Sequence, residues 1–427
     1  MDAHLLSRRK RLKHCHDNDR SYGRQKKKPI FRQMSGNIQL SDLPLDVLGT
    51  ILSKLPPKET YRGKVVEELE VKFEFDATLA EHLNDWVSFA LSARAKNLAL
   101  DLLPDKWGLR ADRYRFPIEL FEGENISRIQ HLQLSFVSFE SPSWFNGFPN
   151  LKKLDLHVFS VTRKDLQDML SNCFNLEWLS IVRCHLNGEQ LRVLRPLPHL
   201  LYLHVAYCDI SGIAFIAMNL QTFVYDGIPI PFYLGPALAL KDARLYLNGN
   251  IPLKFALIGL PNLFPSAQNL ILHSSLPLET PWLQGNNAKF SLLKYLRLEF
   301  LVMREYLNNL LSLASFLSAA PFIENLEIHF VVVALPDCSE LIRRLPRTTH
   351  NYLKNLSITG FAGCTGQVEL LVHIVENAPN LEALTIDRVN CSRHDEEYER
   401  RSRSKALDIA RKHLDGKTSQ NLKVFML

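Results

Sequence analysis

Phe148-Pro-Asn-Leu-Lys-Lys-Leu-Asp-Leu156 decides how this chain is read. Leu151, Leu154 and Leu156 are separated by two variable residues and then by one. The same spacing returns along the chain. Upstream copies are Val66/Leu69/Val71, Ala95/Leu98/Leu100 and Ile129/Leu132/Leu134. Downstream come Leu176/Leu179/Ile181, Leu200/Leu203/Val205 and the weaker Leu220/Phe223/Tyr225 and Leu240/Ala243/Leu245. Ala267/Leu270/Leu272, Leu293/Leu296/Leu298, Ile323/Leu326/Ile328, Leu353/Leu356/Ile358, Leu381/Leu384/Ile386 and Leu422/Phe425/Leu427 complete fourteen copies. Several are introduced by similar words, such as Cys173-Phe-Asn-Leu176, Leu197-Pro-His-Leu200 and Ala378-Pro-Asn-Leu381.

One such triplet arises easily by chance; fourteen in phase, mostly 20 to 30 residues apart, do not. The period and the L-x-x-L-x-L order are those of leucine-rich repeats. The last two apolar residues of a unit alternate on a short strand and point inward, and the first packs where the chain enters it. No unit can bury its own apolar face, so neighbours must stack. The expected fold is therefore α/β: one curved solenoid from about residue 65 to 427, with a largely parallel sheet on its concave side and helical or loop returns. Leu154, Leu156, Leu179, Ile181, Leu203, Leu326, Leu356 and Leu384 should be buried.

Residues between the inward positions face solvent and form the natural ligand surface of a solenoid. They include Lys152, Lys153, Asp155, His157, Glu177, Trp178, Ser180, Tyr202, His204, Glu327 and His329. Trp178 and Tyr202 are large aromatics on neighbouring strands, a composition typical of binding hot spots. We take Asp155, His157, Trp178, Ser180, Tyr202 and His204 as the candidate target-binding set. The ordinary alternative is that each aromatic packs on its neighbour.

Among the returns, Thr162–Leu170 reads as a helix capped by Thr162, and Gly188–Leu194 as another. Glu305–Ala319 and Gln367–Asn377 each carry a one-sided apolar stripe. From Asp209 to Pro281 prolines and glycines are frequent, and loop returns in a strand-rich stretch are expected. The mixed-charge run Asp387–Asp415 should be an exposed loop entering a helix that buries Ala406, Ile409, Ala410 and His413 or Leu414. Leu422–Leu427 should close the sheet.

The chain is 46% apolar over 427 residues, ample for a large core. Seven cysteines without a C-x-x-C pair suit a reducing compartment. Cys184 and Cys208 each follow a strand and are expected in the core. Cys15 lies near His14 and His16, too few ligands for a metal site. No apolar run is long enough to cross a membrane. Neither a nucleophile elbow, a phosphate loop, an H-E-x-x-H motif nor a dinucleotide fingerprint is present. The expectation is a non-catalytic binding protein without cofactor or metal. Residues 1–33 hold eleven Lys/Arg against three Asp, and the remaining chain 40 against 42 Asp/Glu. The basic character belongs to a polar tail, residues 1–37, expected to be disordered. Its clusters Arg8–Lys13 and Lys26–Lys28 suit nuclear import. Only Tyr22 interleaves those charges, which argues against a nucleic-acid platform.

Between tail and repeats stands Leu40-Ser-Asp-Leu-Pro-Leu-Asp-Val-Leu-Gly-Thr-Ile-Leu-Ser-Lys-Leu-Pro-Pro-Lys58. Leu43, Val47, Leu48, Ile51, Leu52 and Leu55 fall at helical spacing. Asp42 caps the start, Pro44 sits in the first turn, and Pro56-Pro57 ends the helix. The wording resembles the first half of the F-box, which docks on the Skp adaptor of cullin-based ubiquitin ligases. The resemblance implies adaptor contacts by Leu43, Pro44, Val47, Leu48, Ile51, Leu52 and Leu55. F-box proteins of this type continue with a last helix bearing a tryptophan. Here Tyr61-Arg62 runs straight into Gly63–Val71, which resembles a part of the family lying well downstream. Half of the adaptor-binding unit is thus absent.

A second marker lies at Tyr352–Ile386: Leu353-Lys-Asn-Leu-Ser-Ile-Thr-Gly-Phe-Ala-Gly363, then a Glu369-Leu-Leu-Val-His-Ile-Val-Glu-Asn-Ala378 helix, then a strand. It resembles the FBD region of plant F-box/leucine-rich-repeat proteins. Asn84–Ser92 and Tyr114–Phe121 resemble the pre-repeat region of that family. The implied organisation is a basic tail (1–37), a partial F-box as a short helical remnant (38–62), leucine-rich repeats (63–351) and FBD-like terminal repeats (352–427). The implied function is substrate recognition for a Skp–cullin–F-box ligase in the nucleus and/or cytoplasm. The alternative is a repeat scaffold that no longer engages the ligase because its F-box is incomplete. The implied partners are a Skp-type adaptor, held weakly, and a target protein.

Overall fold

A computed structural model describes residues 30–32, 37–39, 67–104, 112–121, 123–193, 195–235, 237–275, 289–302, 304–332, 342–388, 396–417 and 421–427. The fourteen repeat copies correspond to fourteen strands of one parallel sheet. They are β1 (Glu68–Lys72), β2 (Asn97–Asp101), β3 (His131–Ser135), β4 (Lys153–His157), β5 (Trp178–Val182), β6 (Tyr202–Ala206) and β7 (Thr222–Gly227). Then follow β8 (Asp242–Asn250), β9 (Asn269–Ser275), β10 (Tyr295–Val302), β11 (Asn325–Val332), β12 (Asn355–Phe361), β13 (Ala383–Arg388) and β14 (Lys423–Met426). Strand order in the sheet is chain order, with every neighbour pair parallel. This leucine-rich-repeat solenoid carries the FBD-like repeats on the same sheet as the others.

The inward positions match across the sheet without a slip from Leu69 through Leu154, Leu179 and Leu203 to Leu384. All eight residues named above as core are buried. Entry into each strand is fixed by a shared acceptor: the N–H groups of Lys152 and Lys153 both donate to Gln130 O, and those of Glu177 and Trp178 to Lys152 O. The recurring Asn before the first leucine has a similar purpose. Asn150, Asn175, Asn219 and Asn380 each donate from Nδ2 to a carbonyl of the preceding repeat.

Strand exit is equally regular. Phe136, Val158, Arg183 and Tyr207, each just past its strand, adopt a left-handed backbone. That conformation is costly for non-glycine residues, about 1–3 kcal/mol. It lets each N–H donate to a carbonyl at the end of the next repeat's strand, as in Arg183 N to Ala206 O at 2.8 Å and Tyr207 N to Asp226 O at 2.7 Å. Beyond these bends, two small parallel sheets line the returns: Tyr114–Arg115, Val137–Phe139 and Ser160–Val161, then Leu191–Arg192, Ile213–Ala214 and Phe232–Tyr233.

The longer helical returns are α1 (Ala80–Ser92), α2 (Arg163–Leu170), α3 (Thr365–Asn377) and α4 (Glu396–Leu414). Thr162 caps α2 by accepting from Asp165 N. Residues Arg304–Ala314 form a 3-10 helix continued by an α-helical turn, Ser315–Ala319. α3 packs between this return and α4, which buries Ala406, Ala410 and Leu414. The two family-like segments before the repeats meet: Tyr114 Oη donates to Asn84 Oδ1 at 2.8 Å.

Four expectations are corrected. Gly188–Leu194 is not a helix: Asn187 and Gly188 turn with positive φ, and Leu191–Arg192 is a strand. Leu191 and Val193 are buried while Arg192 is exposed, a period of two rather than 3.6. The closing strand is displaced by one residue, because Val424 and Met426, not Phe425 and Leu427, pair with Leu384 and Ile386. With no further repeat stacked on it among the described residues, Phe425 is 50% exposed. A short helical return at Phe255–Leu263 interrupts the expected strand-rich stretch, supported by buried Ala256, Leu257 and Leu260. Within the tail read as disordered, Ile30–Arg32 pairs antiparallel with Asn37–Gln39. The β-formers Ile30, Phe31 and Ile38 supply its propensity.

Candidate functional site

The outward face of the sheet carries all six target-binding candidates, and five of them touch. In register, Trp178 lies between Lys153 and Tyr202, and Ser180 between Asp155 and His204. Neighbouring strands stand about 4.8 Å apart, so side chains at one register position must touch. The Trp178 and Tyr202 rings stack at 3.6 Å between centroids and 9° between planes. Trp178 Nε1 donates to Asp155 Oδ1 at 3.0 Å, and the Lys153 ammonium lies 5.3 Å from the indole centroid while also pairing with Asp155 at 3.1 Å. Tyr202 meets the edge of His204, whose Nδ1 is 3.4 Å from Ser180 Oγ.

The patch is half-buried by its own neighbours, which holds the rings rigid. Trp178 remains 36% exposed. Burial lowers His204 from the ordinary imidazole value, with Asp226 and Asp155 opposing. It also raises the Tyr202 phenol. Both groups are therefore neutral near pH 7, and the patch offers flat apolar area with polar rims. His157 is the outlier. On the same face, it stands beside Val182 and Ser135, two outward positions further along the strands than the aromatic pair.

Glu327 and His329 belong to a second cluster on β9 to β12. His273 Nδ1 is 3.2 Å from Glu299 Oε2, and Arg297 Nε lies 2.6 Å from Glu299 Oε1. Arg297 also reaches Glu327, which in turn meets His329; Thr359 Oγ1 closes the chain on His329 Nδ1. Burial would raise Glu299, but the His273 hydrogen bond and the Arg297 guanidinium outweigh it and hold the carboxyl below its usual range. This is a connected polar network across four strands, in which one guanidinium serves two carboxylates. Arg297 and Glu299 were not singled out from the sequence; Arg297 holds the register position of Ser180, and Glu299 and His273 hold that of His157.

No group of three or more His, Cys, Asp or Glu side chains is arranged to hold a metal among the described residues. No described helix is long and apolar enough to cross a membrane. The adaptor-binding candidates Leu43, Pro44, Val47, Leu48, Ile51, Leu52 and Leu55 lie outside the described residues.

Fold and outward face together define a leucine-rich-repeat protein. Residues 60–422 match the family model described as At1g61320/AtMIF1, LRR domain, and the chain belongs to that family. Curated relatives from Arabidopsis thaliana include the F-box/FBD/LRR-repeat protein At1g13570, 26% identical over 44% of this chain and 55% of its own length. The putative F-box/LRR-repeat protein At1g56400 is 24% identical over 77% of this chain and 58% of its own length. The FBD-associated F-box protein At1g61320 is 28% identical over 38% of this chain and 34% of its own length. The matches thus span about half or less of each relative. An internalin of Listeria monocytogenes overlaps 80% of this chain and 87% of its own at a TM-score of 0.39 and 13% identity.

Proposed function

We propose that this chain is a substrate-recognition subunit of a Skp–cullin–F-box ubiquitin ligase, holding its target protein on the outward face of β4 to β6. The stacked pair Trp178–Tyr202 carries this reading, because rigid aromatics at the centre of a patch are the common source of binding energy. The names of the relatives support the ligase connection. Such a receptor needs no catalytic group of its own, since it acts by bringing the target near the transferring subunits.

The partial F-box sets the second reading, a repeat scaffold detached from the ligase. The helix with Leu43, Pro44, Val47, Leu48, Ile51, Leu52 and Leu55 would supply the adaptor contacts. The missing tryptophan helix would have supplied more. Losing two fully buried anchors at about 1.5–3 kcal/mol each weakens binding by roughly 10²–10⁴. Co-elution of the purified chain with a Skp-type adaptor tests this. We expect weak or undetectable binding, recovery on inserting a V-L-S-R-R-W helix after Tyr61, and loss again on Leu48→Asp. Tight binding by the unaltered chain would show that the half-motif suffices; failure of the restored chain would leave the scaffold reading.

A further inference from the structure

Two cysteines occupy equivalent places on adjacent rungs. Cys184 follows β5 and its left-handed residue Arg183; Cys208 follows β6 and its left-handed residue Tyr207. The pairs Val182–Ala206 before them and His185–Asp209 after them are both in parallel register. Cys184 and Cys208 are therefore direct neighbours, one strand spacing apart. That spacing, about 4.8 Å, lies inside the roughly 4.4–6.8 Å window of Cα separations that a disulfide spans.

Their thiols also lean together. Cys208 Sγ donates to Ala206 O at 3.3 Å and to Ile181 O at 3.4 Å, the second acceptor belonging to the rung that carries Cys184. Cys184 Sγ lies within hydrogen-bond reach of Val182 O at 3.5 Å and Leu156 O at 3.7 Å. Their environments differ. Cys184 is buried, whereas Cys208 is only partly so.

We propose that Cys208 and Cys184 form a reversible disulfide-switch site, in which Cys208 is the peroxide-reactive thiol and Cys184 resolves it. The neighbouring Cys184 thiol holds Cys208 below the usual thiol range against the opposing effect of burial, and burial pushes Cys184 well above it. A low-pKa, partly accessible thiol beside a resolving thiol is the arrangement redox-sensing cysteines use.

The chemistry balances with a hydroperoxide as oxidant. The Cys208 thiolate attacks the outer peroxide oxygen, the O–O bond breaks, and a proton converts the departing oxygen to water or alcohol. Cys208 is then a sulfenic acid. The Cys184 sulfur attacks the Cys208 sulfur, the S–O bond breaks, and the Cys184 proton leaves with the hydroxide as water. Two thiols are oxidised by two electrons and one peroxide is reduced; an external dithiol reverses the change. The bond would tie together the exits of β5 and β6, the strands that carry Trp178 and Tyr202. The inference does not depend on the ligase reading.

The test is peroxide treatment of the full-length chain, with peptide mapping before and after reduction. Arg192 lies between the two cysteines and is followed by Val193, so trypsin separates them. A Cys184–Cys208 cross-linked peptide that disappears with dithiothreitol is the expected result. In Cys184→Ser, dimedone should label Cys208; in Cys208→Ser, Cys184 should stay a free thiol. Circular dichroism confirms that both variants are folded. Reduced Cys184 and Cys208 at peroxide doses that oxidise free glutathione would overturn the proposal. So would pairing of Cys208 with any of Cys15, Cys173, Cys338, Cys364 or Cys391, or equal oxidation of Cys184 without Cys208.

Discussion

The indole of Trp178 lies flat on the phenol ring of Tyr202, 3.6 Å away and 9° from parallel. Parallel register imposes this geometry, since the two residues are direct partners on β5 and β6. The pair is thus both a packing unit and an exposed platform. A double-mutant cycle on thermal unfolding should give a coupling of about 0.5–1.5 kcal/mol, as for other aromatic pairs. Trp178→Ala with Tyr202→Ala should also abolish target capture while circular dichroism stays unchanged. Unaltered capture would remove this patch as the target surface.

Gly360 is a stop for side chains. Its φ is +70°, and an added Cβ would stand 1.9 Å from the Phe330 carbonyl oxygen. Gly366, at the start of α3, would place a Cβ 2.0 Å from Leu307 O. Backbone cannot swing away as a side chain can. Gly360→Ala should fall in the exceptional class above about 4 kcal/mol, seen as early proteolysis of the terminal repeats. A melting curve equal to that of the parent chain would refute this.

The Arg343–Glu369 pair should respond asymmetrically. Glu369 on α3 is fully buried, and Arg343 donates to it from Nε at 2.9 Å, from a terminal guanidinium nitrogen at 2.7 Å and from its backbone N–H at 2.7 Å. Arg343→Ala removes the guanidinium donors and the counter-charge from a buried carboxylate and leaves it only the backbone N–H, at about 3–5 kcal/mol. Glu369→Gln keeps an acceptor and leaves an arginine that is half exposed and free to hydrate, so it should cost less. Urea midpoints for the two variants in the reverse order would contradict the arrangement.

Acid should loosen the terminal repeats. Burial, with His373 nearby, pushes His350 down to about 4, and burial lowers His373 as well. Unfolded histidine titrates near 6.5. Between about pH 6.5 and 4 the unfolded chain binds more protons, so stability rises with pH there. The His350 contribution is complete above about 6.5 and lost as pH falls to about 4, of order 3 kcal/mol in all. Hydrogen exchange in α3 at pH 5 against pH 7 should show the change, and His350→Phe should reduce it. Exchange independent of pH, after correction for the intrinsic rate, would disprove it.

Core substitutions follow the repeat rule directly. Leu154→Ala, Leu179→Ala or Leu384→Ala removes a side chain that is 0% exposed, and each should cost about 2–5 kcal/mol. Denaturant unfolding of the three variants measures it. Losses well below that range would mean the repeats relax to fill the gap.

The sequence alone determined the repeat. A spacing of three then two residues, kept in phase over fourteen units, admits only stacked parallel strands, because each unit must hide two apolar side chains behind its neighbour. It also placed α2, α3 and α4, whose apolar stripes and caps are local signals. Gly188–Leu194 escaped it because Leu191 and Val193 fit a short strand as well as a helix, and only pairing with Ile213–Ala214 chose between them. The last strand escaped it because Leu422, Phe425 and Leu427 imitate the motif, while hydrogen bonding to Ala383–Ile386 selects Val424 and Met426. Tertiary structure alone decided what the outward residues do. Trp178 is 23 residues from Asp155 and 25 from Lys153 in the chain, and one strand spacing from theirs in space. Their stacking, ion pairing and shared burial exist only once one repeat lies on the next.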